Sequence, residues 1–274
     1  VASIVVRDVA KVFQLQEGSL TALENLSFEI GDREFVALIG PSGCGKSTVL
    51  RLVADILKPT SGEILVLGEP PSEARERRHY SFVFQDAVML PWRSVLKNVE
   101  LPLEIIGKPA REQYEDRPLE LLDLVGLKGF ENANPDQLSG GMKQRAAIAR
   151  ALLLDPKVLL MDEPFGALDE ITRDRMNLEL LRIWKATDAA VLFVTHSIDE
   201  AVFLADRVLV LSPRPGMIFK VVEIDIPRPR SLELKQSEVG FKYSAKLRKA
   251  LADGATESGV DLATQETELV KSEG

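Results

Sequence analysis

The stretch Gly40-Pro41-Ser42-Gly43-Cys44-Gly45-Lys46-Ser47-Thr48 constrains this chain more than any other, because it directly follows the apolar run Phe35-Val36-Ala37-Leu38-Ile39. That order reads as strand, glycine-rich loop, helix. The three glycines let the backbone curl until successive N–H groups point inward at phosphate oxygens, and the N-terminus of the following helix adds its partial positive charge. Lys46 can then reach the β- and γ-phosphates of a nucleotide, and the Ser47 hydroxyl can ligate Mg²⁺. At average residue usage, chance places such a G-x-x-x-x-G-K-[ST] spacing in a chain of this length roughly one time in a hundred. The expectation is therefore nucleotide binding rather than a plain glycine turn.

The first thirty or so residues alternate, with Ile4, Val6 and Val9 against polar neighbours and then Leu26-Ser27-Phe28-Glu29-Ile30, as in half-buried antiparallel strands. Ile64-Leu65-Val66-Leu67 reads as another strand of this kind. Ser81-Phe82-Val83-Phe84, Val158-Leu159-Leu160-Met161, Ala190-Val191-Leu192-Phe193-Val194 and Val208-Leu209-Val210-Leu211 are instead continuous apolar runs separated by helical patterns. Such runs fit strands buried on both faces of a parallel sheet. Between Asp86 and Pro156 no run reads that way, and the segment is expected to be helical, most clearly over 111–127. The expected fold is α/β: a phosphate-loop core with a mostly parallel sheet, an N-terminal antiparallel β subdomain and an inserted helical subdomain at about 86–156. Pro227 and Pro229 mark where the chain is expected to leave a core spanning 1–226. One or two helices then follow over 231–252, and an acidic, mobile tail fills the last twenty residues.

Forty-five per cent of the 274 residues are hydrophobic, enough for one large domain or a domain with a smaller insertion. A net charge of −8 argues against a nucleic-acid partner held by bulk electrostatics. The single cysteine, Cys44, lies inside the glycine loop, so no intrachain disulfide forms and a reducing compartment is expected. No apolar run reaches the ~18 residues of a membrane span, and the chain is expected to be soluble or at most peripheral to a membrane.

Ligands of open α/β sheets bind at the carboxyl ends of the strands. Here the apolar runs stop at Gln85, at Asp162-Glu163 and at Thr195-His196. One nucleotide site can therefore collect Lys46, Gln85, Asp162, Glu163 and His196. Asp162 suits Mg²⁺, held through water, and Glu163 suits a general base that takes a proton from attacking water. The alternative for this pair is a surface acidic dipeptide at a strand end. Leu138-Ser139-Gly140-Gly141-Met142 precedes a helical pattern and is either an anion-binding helix start or an N-cap followed by a flexible turn.

Together these motifs resemble the ATPase subunit of ATP-binding cassette proteins, and the resemblance covers roughly 2–226. It implies an ATP-hydrolysing enzyme that takes ATP and Mg²⁺ and pairs with a second copy of itself around two nucleotides. In that arrangement Ser139, Gly140 and Gly141 serve the ATP held by the opposite chain. The resemblance also assigns Phe13 to stack on adenine, Gln85 to sense Mg²⁺ and the attacking water, Asp169 to the dimer seam and His196 to the γ-phosphate. Phe13 could instead be ordinary core, and His196 a structural residue. Phe82-Val83-Phe84-Gln85-Asp86-Ala87-Val88-Met89-Leu90-Pro91-Trp92-Arg93, Asp162-Glu163-Pro164-Phe165-Gly166-Ala167-Leu168-Asp169 and Ser212-Pro213-Arg214-Pro215-Gly216 look like the nitrate, sulfonate and taurine branch of bacterial importers. That branch implies membrane permease subunits as partners, an external solute-binding protein as an indirect one, no nucleic acid, and a peripheral place on the cytoplasmic face of the inner membrane. Met89, Leu90 and Trp92 are then a socket for a partner helix, or else packing for the helical insert. A cassette ATPase acting on nucleic acid would call for a basic surface or a long coiled-coil insert, and a small-molecule kinase would leave Ser139-Gly140-Gly141 without a task.

Overall fold

The computed structural model describes residues 2–16, 18–106 and 112–257. The strands are β1 (Ala2–Gln14), β2 (Ser19–Gly31), β3 (Phe35–Ile39), β4 (Ser61–Val66), β5 (Tyr80–Val83), β6 (Val158–Asp162), β7 (Ala190–Val194), β8 (Arg207–Leu211) and β9 (Ile218–Glu223). The α-helices are α1 (Lys46–Val53), α2 (Pro71–Glu76), α3 (Val95–Val99), α4 (Leu101–Ile106), α5 (Arg117–Leu124), α6 (Gly140–Leu152), α7 (Glu170–Lys185), α8 (Ile198–Leu204) and α9 (Glu238–Glu257).

Two sheets form. The alternating N-terminal segments make an antiparallel sheet of order β2-β1-β4, and the continuous apolar runs make a second sheet of order β5-β6-β7-β3-β8-β9. The five neighbours from β5 to β8 are parallel, and β9 adds on antiparallel at the edge. Each parallel strand serves two cores. Phe35, Ala37 and Ile39 of β3 face a helical layer with Leu159, Met161, Val191 and Phe193. Val36 and Leu38 face the opposite way, with Leu160, Leu192 and Leu209, toward α1 and the antiparallel sheet. Each of these side chains larger than alanine is worth about 1.5–3 kcal/mol on burial, so neither face tolerates polar interruption, and that is why these runs read as continuous. Phe35 adds edge-on contact with Trp184 at 5.4 Å between ring centroids.

Two expectations change, and one strand was not foreseen. Strand β9 carries no legible signal, because as an edge strand it buries only Val222. Among the described residues of the expected helix over 111–127, which leave out 111, the helix is shorter: a 3₁₀ turn at Glu112–Tyr114 precedes α5, Arg117 opens the helix with Pro118 in its first turn, and the chain turns at Gly126 with φ 67°. The chain also does not leave the core at Pro227. Arg230 is buried, and its guanidinium donates to the carbonyls of Val202, Phe203 and Ala205 at the C-terminal end of α8, while α9 seats Leu247 and Ala250 in the main core. The tail beyond 257 lies outside the described residues. No helix among the described residues is long and apolar enough to cross a membrane.

Candidate nucleotide site

The loop expected to hold phosphate sits where β3 ends. Gly45 has φ 107°, and a Cβ there would stand 2.7 Å from Leu23 Cδ2, so both conformation and space demand glycine. Lys46 opens α1 and folds its ammonium back across the loop, donating to the carbonyls of Gly40 (2.8 Å) and Pro41 (2.9 Å). Ser47 Oγ donates to Asp162 Oδ1 at 2.9 Å, which joins the loop to the end of β6. A hydroxyl beside a carboxylate is a hard oxygen pair that suits Mg²⁺. Burial raises the Asp162 pKa, against the Ser47 hydrogen bond that lowers it.

That shift has a sign that can be tested. A carboxyl whose pKa is raised in the fold contributes stability at low pH and loses it as pH rises through the folded value, so at neutral pH the charge of Asp162 works against folding. Asp162→Asn keeps an acceptor for Ser47 and removes the charge. The nucleotide-free protein should melt at the same or a higher temperature, while Mg²⁺-dependent hydrolysis falls about 10- to 100-fold. A clear drop in Tm would show that the charge stabilises the apo fold.

Glu163 follows Asp162 with a left-handed backbone, φ 44°, a strained conformation for a residue with a side chain. It is held by its N–H on the Val194 carbonyl (2.9 Å) and its own carbonyl on the Gly166 N–H (3.0 Å). The strain aims Oε2 at His196 Nδ1, 3.0 Å away at the end of β7. An ionised Glu163 only accepts, so His196 carries its proton on Nδ1 and leaves Nε2 for another partner. Gln85 converges on the same place: a Cβ on Gly166 would lie 3.5 Å from Glu163 Oε2 and 3.6 Å from Gln85 Nε2. Buried Gln144 of α6 donates to the Phe84 carbonyl at 3.3 Å and fixes the chain just before Gln85. The structure therefore gathers Gln85, Glu163 and His196 into one cluster, and joins Asp162 to the phosphate loop through Ser47.

Ser139 is the N-cap of α6, accepting from the Met142 N–H at 3.3 Å. With Gly141 it lines a cleft of about 520 Å³ together with Arg145, Thr172 and Arg175; Lys46, Asp162, Glu163 and His196 are not among its lining residues. A Cβ on Gly140 would touch Leu168 at 3.6 Å, so this helix start packs beside the 167–169 loop. There Asp169 caps α7 by accepting from the Thr172 N–H at 3.0 Å, and hydrogen bonding from the Thr172 side chain first, then from its N–H, holds the carboxyl below the usual range. Phe13 belongs to neither buried cluster; it is half-exposed on β1, with Lys11 Nζ 5.1 Å from its ring centroid.

Sequence reasoning missed a buried link between the 167–169 loop and His196. Arg173 Nη2 donates to the Leu168 carbonyl at 2.7 Å, and its Nε lies 3.8 Å from Glu200 Oε1. Glu200 Oε2 accepts from the Thr195 hydroxyl, the residue before His196. Burial raises the Glu200 pKa, with the Thr195 hydrogen bond and then Arg173 opposing it. The available signal was spacing, since Glu200 stands four residues after His196 at the start of a helix.

Comparison with known proteins identifies the family. Residues 23–166 match the family model for the ABC transporter. The chain is 45% identical to an uncharacterized ABC transporter ATP-binding protein of Methanocaldococcus jannaschii, over 92% of each chain. It is 44% identical to the nitrate import ATP-binding protein NrtD of Synechocystis sp., over 92% of this chain and 96% of that one. It is also 43% identical to the aliphatic sulfonates import ATP-binding protein SsuB of Bacillus cereus, over 84% and 89%. Among solved structures, the dimeric ATP-binding cassette MJ0796 in a post-hydrolysis state bound to ADP and Pi superposes with a TM-score of 0.70 at 32% identity, over 82% of this chain and 100% of that one. The expected α/β phosphate-loop fold and ATP hydrolysis both hold, and the chain belongs to the ABC transporter family as one of its ATPase subunits.

Proposed function

We propose that this chain powers an importer of a small anionic solute of the sulfonate or nitrate class, sitting peripherally on membrane permease subunits that an external solute-binding protein supplies. The pairing of Glu163 with His196 at 3.0 Å, beside the strand end where Ser47 meets Asp162, is the observation that carries the catalytic part. The names of the SsuB and NrtD relatives support the solute class. In this reading the loop of residues 40–48 holds the phosphates of ATP through Lys46 and through its backbone N–H groups, of which Pro41 has none, and Phe13 stacks on adenine. Mg²⁺, held by Ser47, Gln85 and, through water, Asp162, would neutralise phosphate charge. Glu163 takes the proton of the attacking water, and His196 reaches the γ-phosphate through Nε2. Ser139, Gly140, Gly141 and Asp169 act across the seam of a dimer, a reading supported by the cleft that Ser139 and Gly141 line apart from Lys46, Asp162, Glu163 and His196. Closure follows ATP binding since both chains contribute contacts only when closed.

Exposure supports a permease contact beside Gln85. Trp92 is 75%, Val88 60% and Phe84 48% exposed, an apolar group flanking Gln85, whereas Met89 packs on the core and Leu90 is half-buried with its N–H on Asn98 Oδ1 at 2.6 Å. A partner helix docked there would move with Gln85. Trp92→Glu should leave the Tm and ATP affinity of the isolated subunit unchanged and abolish co-purification with the permease, since an ionised, unpaired carboxylate in that contact costs several kcal/mol. Normal assembly of this variant would place the contact elsewhere. Solute class is tested by ATP hydrolysis of the assembled transporter, which sulfonates or nitrate should stimulate and neutral solutes should not.

A further inference from the structure

The segment Ser212-Pro213-Arg214-Pro215-Gly216 connects β8 to β9 and has no part in the site described above. It is nevertheless built against the outside of the phosphate loop. Ser212 closes the turn on itself: its N–H donates to the Met217 carbonyl (3.0 Å), its hydroxyl donates to the Pro215 carbonyl (3.1 Å), and it accepts from the Met217 N–H (3.0 Å). Gly216 then stitches the turn to β2, donating to the Ala22 carbonyl at 2.9 Å and accepting from the Glu24 N–H at 3.2 Å. A Cβ on Gly216 would stand 2.2 Å from the Cys44 carbonyl oxygen, so only glycine lets the two backbones meet. From this anchored turn Arg214 reaches across, and both Nε (3.1 Å) and Nη2 (2.7 Å) donate to the Gly43 carbonyl. No ion pair holds Arg214 among the described residues, so its charge stays uncompensated beside the loop.

In a trans peptide the C=O and N–H point in opposite directions. Pinning the Gly43 oxygen outward on Arg214 therefore turns the Cys44 N–H to the inner side of the loop. There it makes only a long 3.4 Å bond to the Pro41 carbonyl, one easily exchanged for a phosphate oxygen. We propose that Arg214 is a positioning residue for ATP binding: it clamps the Gly43–Cys44 peptide from behind, so that the loop presents this N–H to phosphate, and it adds positive charge to the same place. The inference rests on residues 40–48 being the ATP-phosphate site.

The test compares ATP affinity and turnover of the purified full-length chain and its variants. Arg214→Ala should raise Kd and KM for ATP about tenfold, as expected for a charge-assisted hydrogen bond, with a smaller change in kcat and an unchanged Tm. Arg214→Lys should recover part of the affinity through a single charged donor, and Arg214→Gln a smaller part through an uncharged one. Alkylation of buried Cys44 in nucleotide-free protein should be faster in Arg214→Ala, since the loop is no longer held. Lys46→Ala separates the clamp from the reading it rests on. If Lys46→Ala loses ATP binding while Arg214→Ala binds as tightly as the parent chain, the clamp is overturned alone. If Lys46→Ala binds ATP normally, the phosphate-loop assignment fails and the clamp with it. A loss confined to kcat, or an Arg214→Lys variant no better than Arg214→Ala, also overturns the proposal.

Discussion

Glu163→Gln should hydrolyse ATP about 10²- to 10⁴-fold more slowly than the parent chain, the range lost when a general base is removed, while still binding ATP. The amide keeps the shape of the side chain and an oxygen that accepts from His196 Nδ1, 3.0 Å away, but it has no basic lone pair for the proton of water. ATP-bound dimers should therefore accumulate, visible by size-exclusion chromatography with ATP and absent with ADP. The strained backbone at Glu163 sharpens the test. Because its φ of 44° is set by hydrogen bonds of the main chain, the substitution leaves the geometry in place, and Tm should not move. Turnover close to that of the parent chain would remove Glu163 from the base role.

Lys46→Ala and Ser139→Arg homodimers should each be inactive, whereas a mixed dimer of the two should regain part of the activity. Lys46 lies in the phosphate loop and Ser139 caps α6, lining a cleft with Thr172 and Arg175. If each ATP lies between the loop of one chain and the helix start of the other, the mixed dimer holds one fully intact site and one doubly damaged site. Ser139→Arg fills the cleft and replaces the N-cap, which alone costs about 1 kcal/mol, so the Tm of that variant must be checked first. Tagging the two chains differently isolates the mixed species. A verified mixed dimer that closes on ATP but shows no recovered hydrolysis would rule out sharing across the seam.

The sites that a local stretch of chain can encode were legible in the residues. The loop at 40–48 is read from glycine spacing behind a strand, and Asp162, Glu163 and His196 from apolar runs that stop at polar residues, because a strand buried on both faces admits none until it ends. The antiparallel ribbon was legible for the complementary reason over Leu26–Ile30, where one wet face forces alternation, although β1 buries Ser3 to Val6 without a break. Strand β9 was not, since an edge strand with one buried residue imposes neither pattern. Nor was the return of the chain after Pro227, where two prolines suggested departure and the buried guanidinium of Arg230 instead fastens the segment to the end of α8.

The residues alone thus reveal most of the order of elements, the candidate groups at the strand ends and the family. Which of those ends touch is settled only when the sheets and helices pack. Ser47 meets Asp162, Arg173 meets Glu200 and Arg214 meets Gly43 across long stretches of chain, and no periodicity marks such pairs in advance. Side-chain patterns record how each segment meets water or core, a property of a few neighbouring residues. The pairing of distant polar groups depends instead on where the packed sheets bring them, and it is fixed only when burial leaves each donor no acceptor but the one within reach.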